Sequence, residues 1–171
     1  MKAELLTLRL IHILGAIFWA GSMMFTTFFL VPVIRSSPAV AGQVMAGLQK
    51  RRLFIALPIV ALLTIASGLR LLSIVSAGFS GSYFSTPPGR TFATAAAAAT
   101  IAFFLSLLVS RPGFVRLGRL GASLAEAPDE GARQRIAAEM TRLTRSVAIS
   151  NALVVVLLLS AAAGMAVARY V

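Results

Sequence analysis

The chain has 171 residues, 58% hydrophobic and 12% charged, with 16 Lys and Arg against 5 Asp and Glu and a formal charge of +11. A mean hydropathy of +0.91 excludes an ordinary soluble domain. The absence of cysteine excludes disulfides, thiolate metal sites and cysteine-held iron–sulfur clusters.

Four stretches, about residues 5–34, 53–76, 91–110 and 146–168, are apolar and long enough to cross a hydrocarbon core of about 30 Å, which takes roughly 20 helical residues. Their continuous apolarity predicts helices, because the strands of a membrane barrel alternate with a period of two. The expected fold is all-α, an integral membrane four-helix bundle occupying residues 1–171 as a single transmembrane domain.

The first span is longer than the apolar core of a secretory signal and lacks a small-x-small cleavage site, so it reads as a retained helix. Ser37 and Pro38 then give a helix-start signal, and Val40, Val44 and Leu48 recur at helical spacing, predicting a short surface helix. In the second span Pro58 removes a backbone donor, which predicts a bend. The next loop, SAGFSGSYFSTPPGR, is rich in Gly, Ser and Pro, as an interfacial connection is. The third span opens TFATAAAAAT, whose small side chains suit close helix packing or leave room for a flat ligand. Residues 129–145 read as an amphipathic cytoplasmic helix, with Ile136, Met140, Leu143 and Val147 on one face, running directly into the fourth span.

The positive charge is unevenly placed. Eleven of the 16 basic residues fall in two connections: Arg35 and Lys50 to Arg52 after the first span, and seven arginines from Arg111 to Arg145 between the third and fourth. The positive-inside rule makes both connections cytoplasmic and puts both termini on the outer (periplasmic) side. A basic inner face suits the anionic headgroups of membrane lipids, and once so placed these charges give no reason to invoke nucleic acid.

The chain offers one histidine, one tryptophan and six methionines. On the first helix His12, Gly15, Trp19, Ser22, Met23 and Thr26 share a face. An imidazole in hydrocarbon needs a partner: His12 either ligates a cofactor, haem above all, or hydrogen-bonds a neighbouring helix. Gly15 would let a macrocycle lie against the backbone, whereas Trp19 suits either the cofactor face or core packing. Met165 is the second metal donor expected on depth, since His12 lies about two turns and Met165 about one turn inside the same end of the bundle at about 1.5 Å per residue. Arg70 and Arg90 flank the outer loop and either pair with haem propionates or snorkel to headgroups. Ser146, Ser150 and Asn151 form a polar patch expected to bond a neighbouring helix. No carboxylate lies inside a span, which argues against a proton-coupled transporter or a general acid/base enzyme.

The segment IHILGAIFWAGSMMFTTFFLVPVIR, with tryptophan seven positions after histidine, resembles the opening helix of the CopD-like and HemJ-like family of small membrane proteins. RRLFIALPIVALLTIASGLRLL is similar to the second helix of that family, and TPPGRTFATAAAAATIAFFLSLLVSRP and RSVAISNALVVVLLLSAAAG to the third and fourth. The resemblance implies a four-helix bundle in a bacterial inner (cytoplasmic) membrane. For the HemJ-like branch it also implies haem b, with His12 as the expected ligand, and protoporphyrinogen oxidation. The lysine that begins the third helix in that branch is absent: Arg90 and Thr91 stand there, and a guanidinium does not readily ligate iron. The CopD-like branch implies copper handling, but no dense Met/His path runs through these spans. The expectation is a haem-binding protein or redox-complex subunit working in electron transfer. The alternative is a cofactor-free accessory subunit, docked on other membrane subunits or on copies of itself.

Overall fold

The computed structural model describes residues 2–36 and 38–171, and the expected Ser37 cap lies outside them. Four helices among these residues are long and apolar enough to cross a membrane. The first, α1, runs over Lys2–Ser36. It is followed by α2 at Pro38–Lys50, α3 at Leu53–Val75 and a single turn, α4, at Gly81–Phe84. The bundle is completed by α5 at Pro87–Ala125 and by α6 at Glu130–Val167, which ends in a 3₁₀ turn at Ala168–Tyr170. The protein is a multi-pass membrane helical bundle. Accordingly, side chains such as Leu14 (63% exposed) and Leu108 (67% exposed) face outward, where lipid replaces water.

Local signals set the helix starts. Thr86 caps α5 by accepting from Gly89 N at 3.2 Å, ahead of prolines that cannot donate. Asp129 caps α6 by accepting from Ala132 N at 2.6 Å. The amphipathic segment and the fourth span form one continuous 38-residue helix.

The helix that carries the third span does not end at Ser110: α5 continues through Arg111 and Pro112 to Ala125. A π-helical turn over Ser106–Ser110 makes this feasible, with Arg111 N donating to Ser106 O. An equivalent π-turn over Thr26–Leu30 in α1 precedes Pro32, with Val31 N donating to Thr26 O. Proline crowds the carbonyl four residues back and offers it no N–H; widening the preceding turn relieves that conflict without ending the helix. At Pro58 the conflict is resolved differently. The Phe54 carbonyl, deprived of its helical donor, accepts from Arg111 Nε at 2.9 Å.

Packing is strongest between α1 and α3 and between α5 and α6, so the bundle is two helix pairs face to face. Gly15 lets α1 approach α3, because a Cβ there would collide with the Thr64 hydroxyl. Gly113 likewise admits Val147 of α6 against α5. One core cluster lies mid-bundle, from Trp19 and Met23 to Ala102, Val154 and Leu158. A second joins the far ends of the helices, where Val31, Ile34, Met45, Phe114, Leu117, Met140 and Val147 meet, with Ile136 and Leu143 against them. The eleven basic residues of the two connections belong to that far end.

A candidate cofactor cavity at the end that carries the termini

Between the two helix pairs, at the end where α1 begins and α6 finishes, lies a cavity of about 610 Å³. That is within the roughly 300–1,000 Å³ typical of small-molecule and cofactor sites. His12 and Arg9 of α1 and Thr64 and Gly68 of α3 line it, together with Ala96, Ala99 and Thr100 of α5, Met165 and Arg169 at the end of α6, and Tyr83 from α4.

His12 is held on two sides. Its Nδ1 is 2.8 Å from the Thr64 carbonyl oxygen, which can only accept, so Nδ1 carries the proton and the lone pair resides on Nε2. The ring also lies against the backbone of Gly68, where a Cβ would come within 2.6 Å of His12 Cε1. Metal-ligating histidines are oriented in this way, one nitrogen fixed on a carbonyl so that the other can coordinate. Met165 adds a thioether to the same cavity, and the alanines of α5 leave a wall of small side chains. Two soft or borderline donors on an apolar chamber fit the axial needs of haem iron. Among the described residues no three His, Cys, Asp or Glu side chains group into a metal cage.

No family model, curated protein or solved structure matches the chain.

Of the residues singled out in the sequence, His12 and Met165 are brought together. Gly15 serves the α1–α3 contact instead of lining the cavity. Trp19 is buried below it, edge-on to Phe103 with ring centroids 6.5 Å apart, where a much smaller pocket of about 50 Å³ begins. Arg70 turns away to form an ion pair with Glu4 at 2.7 Å, and Arg90 is exposed outside the cavity. Ser150 bonds Ser110 across the α5–α6 contact at 3.1 Å. Asn151 is fully buried, with neither amide atom partnered in the protein.

Sequence reasoning passed over Arg9, Arg169, Thr64 and Gly68. A signal for the arginines existed: Arg9 precedes His12 by three residues and Arg169 follows Met165 by four, so each shares a helix face with a candidate donor. Thr64 and Gly68 gave none, because their role depends on how α1 and α3 are rotated against each other.

Proposed function

We propose that the cavity binds a b-type haem through His12 Nε2, with Met165 as the second donor, and that the protein acts in membrane electron transfer or as a membrane subunit of a redox complex. The observation that carries this reading is the Nδ1 hydrogen bond to Thr64, which leaves His12 with a free Nε2 in a cavity shared with a methionine. When bound, the haem supplies one-electron chemistry. The protein's own part is to fix the imidazole tautomer through Thr64, to seat the ring on Gly68, and to exclude water with Leu5, Ile65, Leu72 and Phe92.

The concentration of basic residues at the opposite end supports a bacterial inner-membrane orientation with that end cytoplasmic and both termini periplasmic. Protoporphyrinogen oxidation and copper handling are the weaker extensions of the family resemblance, since the third-helix lysine and a Met/His path are both missing.

A reduced-minus-oxidised visible spectrum of the protein purified in mild detergent, beside His12→Ala, tests the proposal. The expected result is a b-type spectrum that disappears in the variant. A colourless, stably folded protein that also fails to take up added haem overturns it and leaves the accessory-subunit reading.

A further inference from the structure

The cavity is graded from charged to apolar. At its outer end lie Arg9 and Arg169, one helical turn beyond His12 and Met165 respectively; deeper, the lining is Ile65, Ala96, Ala99 and other apolar side chains. Both arginines line the cavity, and neither has a carboxylate partner among the described residues, where the ion pairs are Arg70 with Glu4 and Arg116 with Glu139. Glu4 is the only acidic residue at this end of the chain, and Arg70 engages it with both Nε and a terminal nitrogen, at 3.1 and 2.7 Å. Arg169 makes its contact with the Tyr170 phenol, by a hydrogen bond and by lying over the ring at 4.7 Å. Both arginines are exposed side chains at the rim of the apolar chamber, where their guanidiniums are open to an anion that enters from the membrane boundary. The guanidinium fork matches the carboxylate geometry.

We infer that Arg9 and Arg169 form a subsite for the carboxylates of an amphiphilic ligand whose apolar body occupies the chamber beside His12 and Met165. Resting on the reading of the cavity as a porphyrin site, this assigns the carboxylates of the porphyrin to these two arginines and gives Arg70 and Arg90 no part in holding them. It also orients the ligand, with the carboxylates toward the end that carries the termini and the ring edge toward Ala99 and Thr100.

The test uses two metal-free porphyrins, protoporphyrin IX and its dimethyl ester, which need no axial ligand, titrated by fluorescence into the purified full-length protein. The wild type should prefer the diacid by roughly tenfold or more, the scale of one to two charge-assisted hydrogen bonds. Arg9→Gln with Arg169→Gln should abolish that preference, Arg9→Lys should retain part of it, and Arg90→Gln should leave it unchanged. Thermal melts in detergent establish that each variant is folded; should the double variant not fold, the two single variants are expected to halve the preference on a logarithmic scale. Equal binding of diacid and diester by the wild type, or a preference surviving in the folded variants, overturns the subsite while leaving His12 ligation standing. A diacid preference without a haem spectrum would uphold the subsite and remove the haem. Binding of neither porphyrin overturns both.

Discussion

His12 on α1 donates through Nδ1 to the backbone carbonyl of Thr64 on α3 at 2.8 Å. A single bond between two helices thus sets which ring nitrogen is free for chemistry. Because the acceptor belongs to the backbone, no substitution of the Thr64 side chain removes it. The orientation of the imidazole is therefore tied to helix packing, and the residues that control packing control the site.

Gly68 is the most direct of these. An added methyl at this position would overlap the imidazole, whose Cε1 and Nδ1 would lie 2.6 and 2.9 Å away. Gly68→Ala should displace the ring, weaken any ligand bound through His12 by at least about tenfold, and lower stability by roughly 1–3 kcal/mol as overpacking does. Titration of haem and a melt in detergent read the two effects separately; an unchanged spectrum and melt would show that the ring is free to move aside.

Gly15 and Gly21 form a matched pair on the same helix. A Cβ at Gly15 meets the Thr64 side chain, whereas nothing lies within 4 Å of one at Gly21. Gly15→Ala should destabilise the α1–α3 contact by about 1–3 kcal/mol, while Gly21→Ala should be neutral or stabilise by up to about 1 kcal/mol through helix propensity. Similar effects from the two substitutions would mean that the close approach of α1 to α3 is not tightly held.

Arg111 and Pro58 should be coupled. Proline leaves the Phe54 carbonyl without its helical donor, and Arg111 Nε supplies one from α5 at 2.9 Å. Arg111→Ala is expected to lower stability by about 1 kcal/mol. In a Pro58→Ala background the restored N–H takes the carbonyl, so the same arginine substitution should have little effect. A double-mutant cycle gives the interaction energy, and additivity of the two changes would show the contact to be energetically idle.

Asn151 is fully buried with both amide atoms unpartnered in the protein. An unpaired amide in an apolar interior is unfavourable by about 1–3 kcal/mol, so Asn151→Leu, a change close in volume, should raise the melting temperature. A clear loss of stability would instead identify a bound water or other polar partner whose bonds the leucine cannot replace.

The apolar runs made the four membrane helices legible in the sequence. The period of Ile136, Met140, Leu143 and Val147 likewise anticipated the long α6, because both signals are local. That His12 and Met165 line the same cavity was legible from depth, since helical rise converts residue number into distance along the bundle. Rotation about the helix axis was not available from the same arithmetic. Arg70 and Arg9 lie at similar depth, yet Arg70 finds Glu4, 66 residues away in the chain, and Arg9 faces the cavity. Gly15 looked like space for a ligand because it shares a face with His12, but the neighbour that fills that space is Thr64 of another helix. That the helix runs on past the apolar stretch was not legible, because Arg111 and Pro112 interrupt the apolar pattern and only a wider turn just before them carries the helix through.

The two π-turns also act as phase shifts. Along α1 the buried positions run Trp19, Met23, Thr26 and then Val31 and Ile34, so the step across the turn is five residues where an α-helix takes three or four. Each residue of an α-helix turns by roughly 100°, and the wider turn absorbs the extra one, so that Val31 and Ile34 stay on the face of Met23 and Thr26. The cavity end and the basic end of α1 therefore share one buried face but belong to two sequence registers, offset by one residue. Deleting one residue within Thr26–Leu30 would turn the π-turn into plain α-helix and keep Val31, then four positions after Thr26, on the buried face, whereas winding the present sequence as α-helix throughout would swing Val31 and Ile34 from the core toward lipid. Alignment of such helices by a single apolar stripe would fail at that point, and grafting one half of the bundle onto another scaffold requires the junction to preserve the offset.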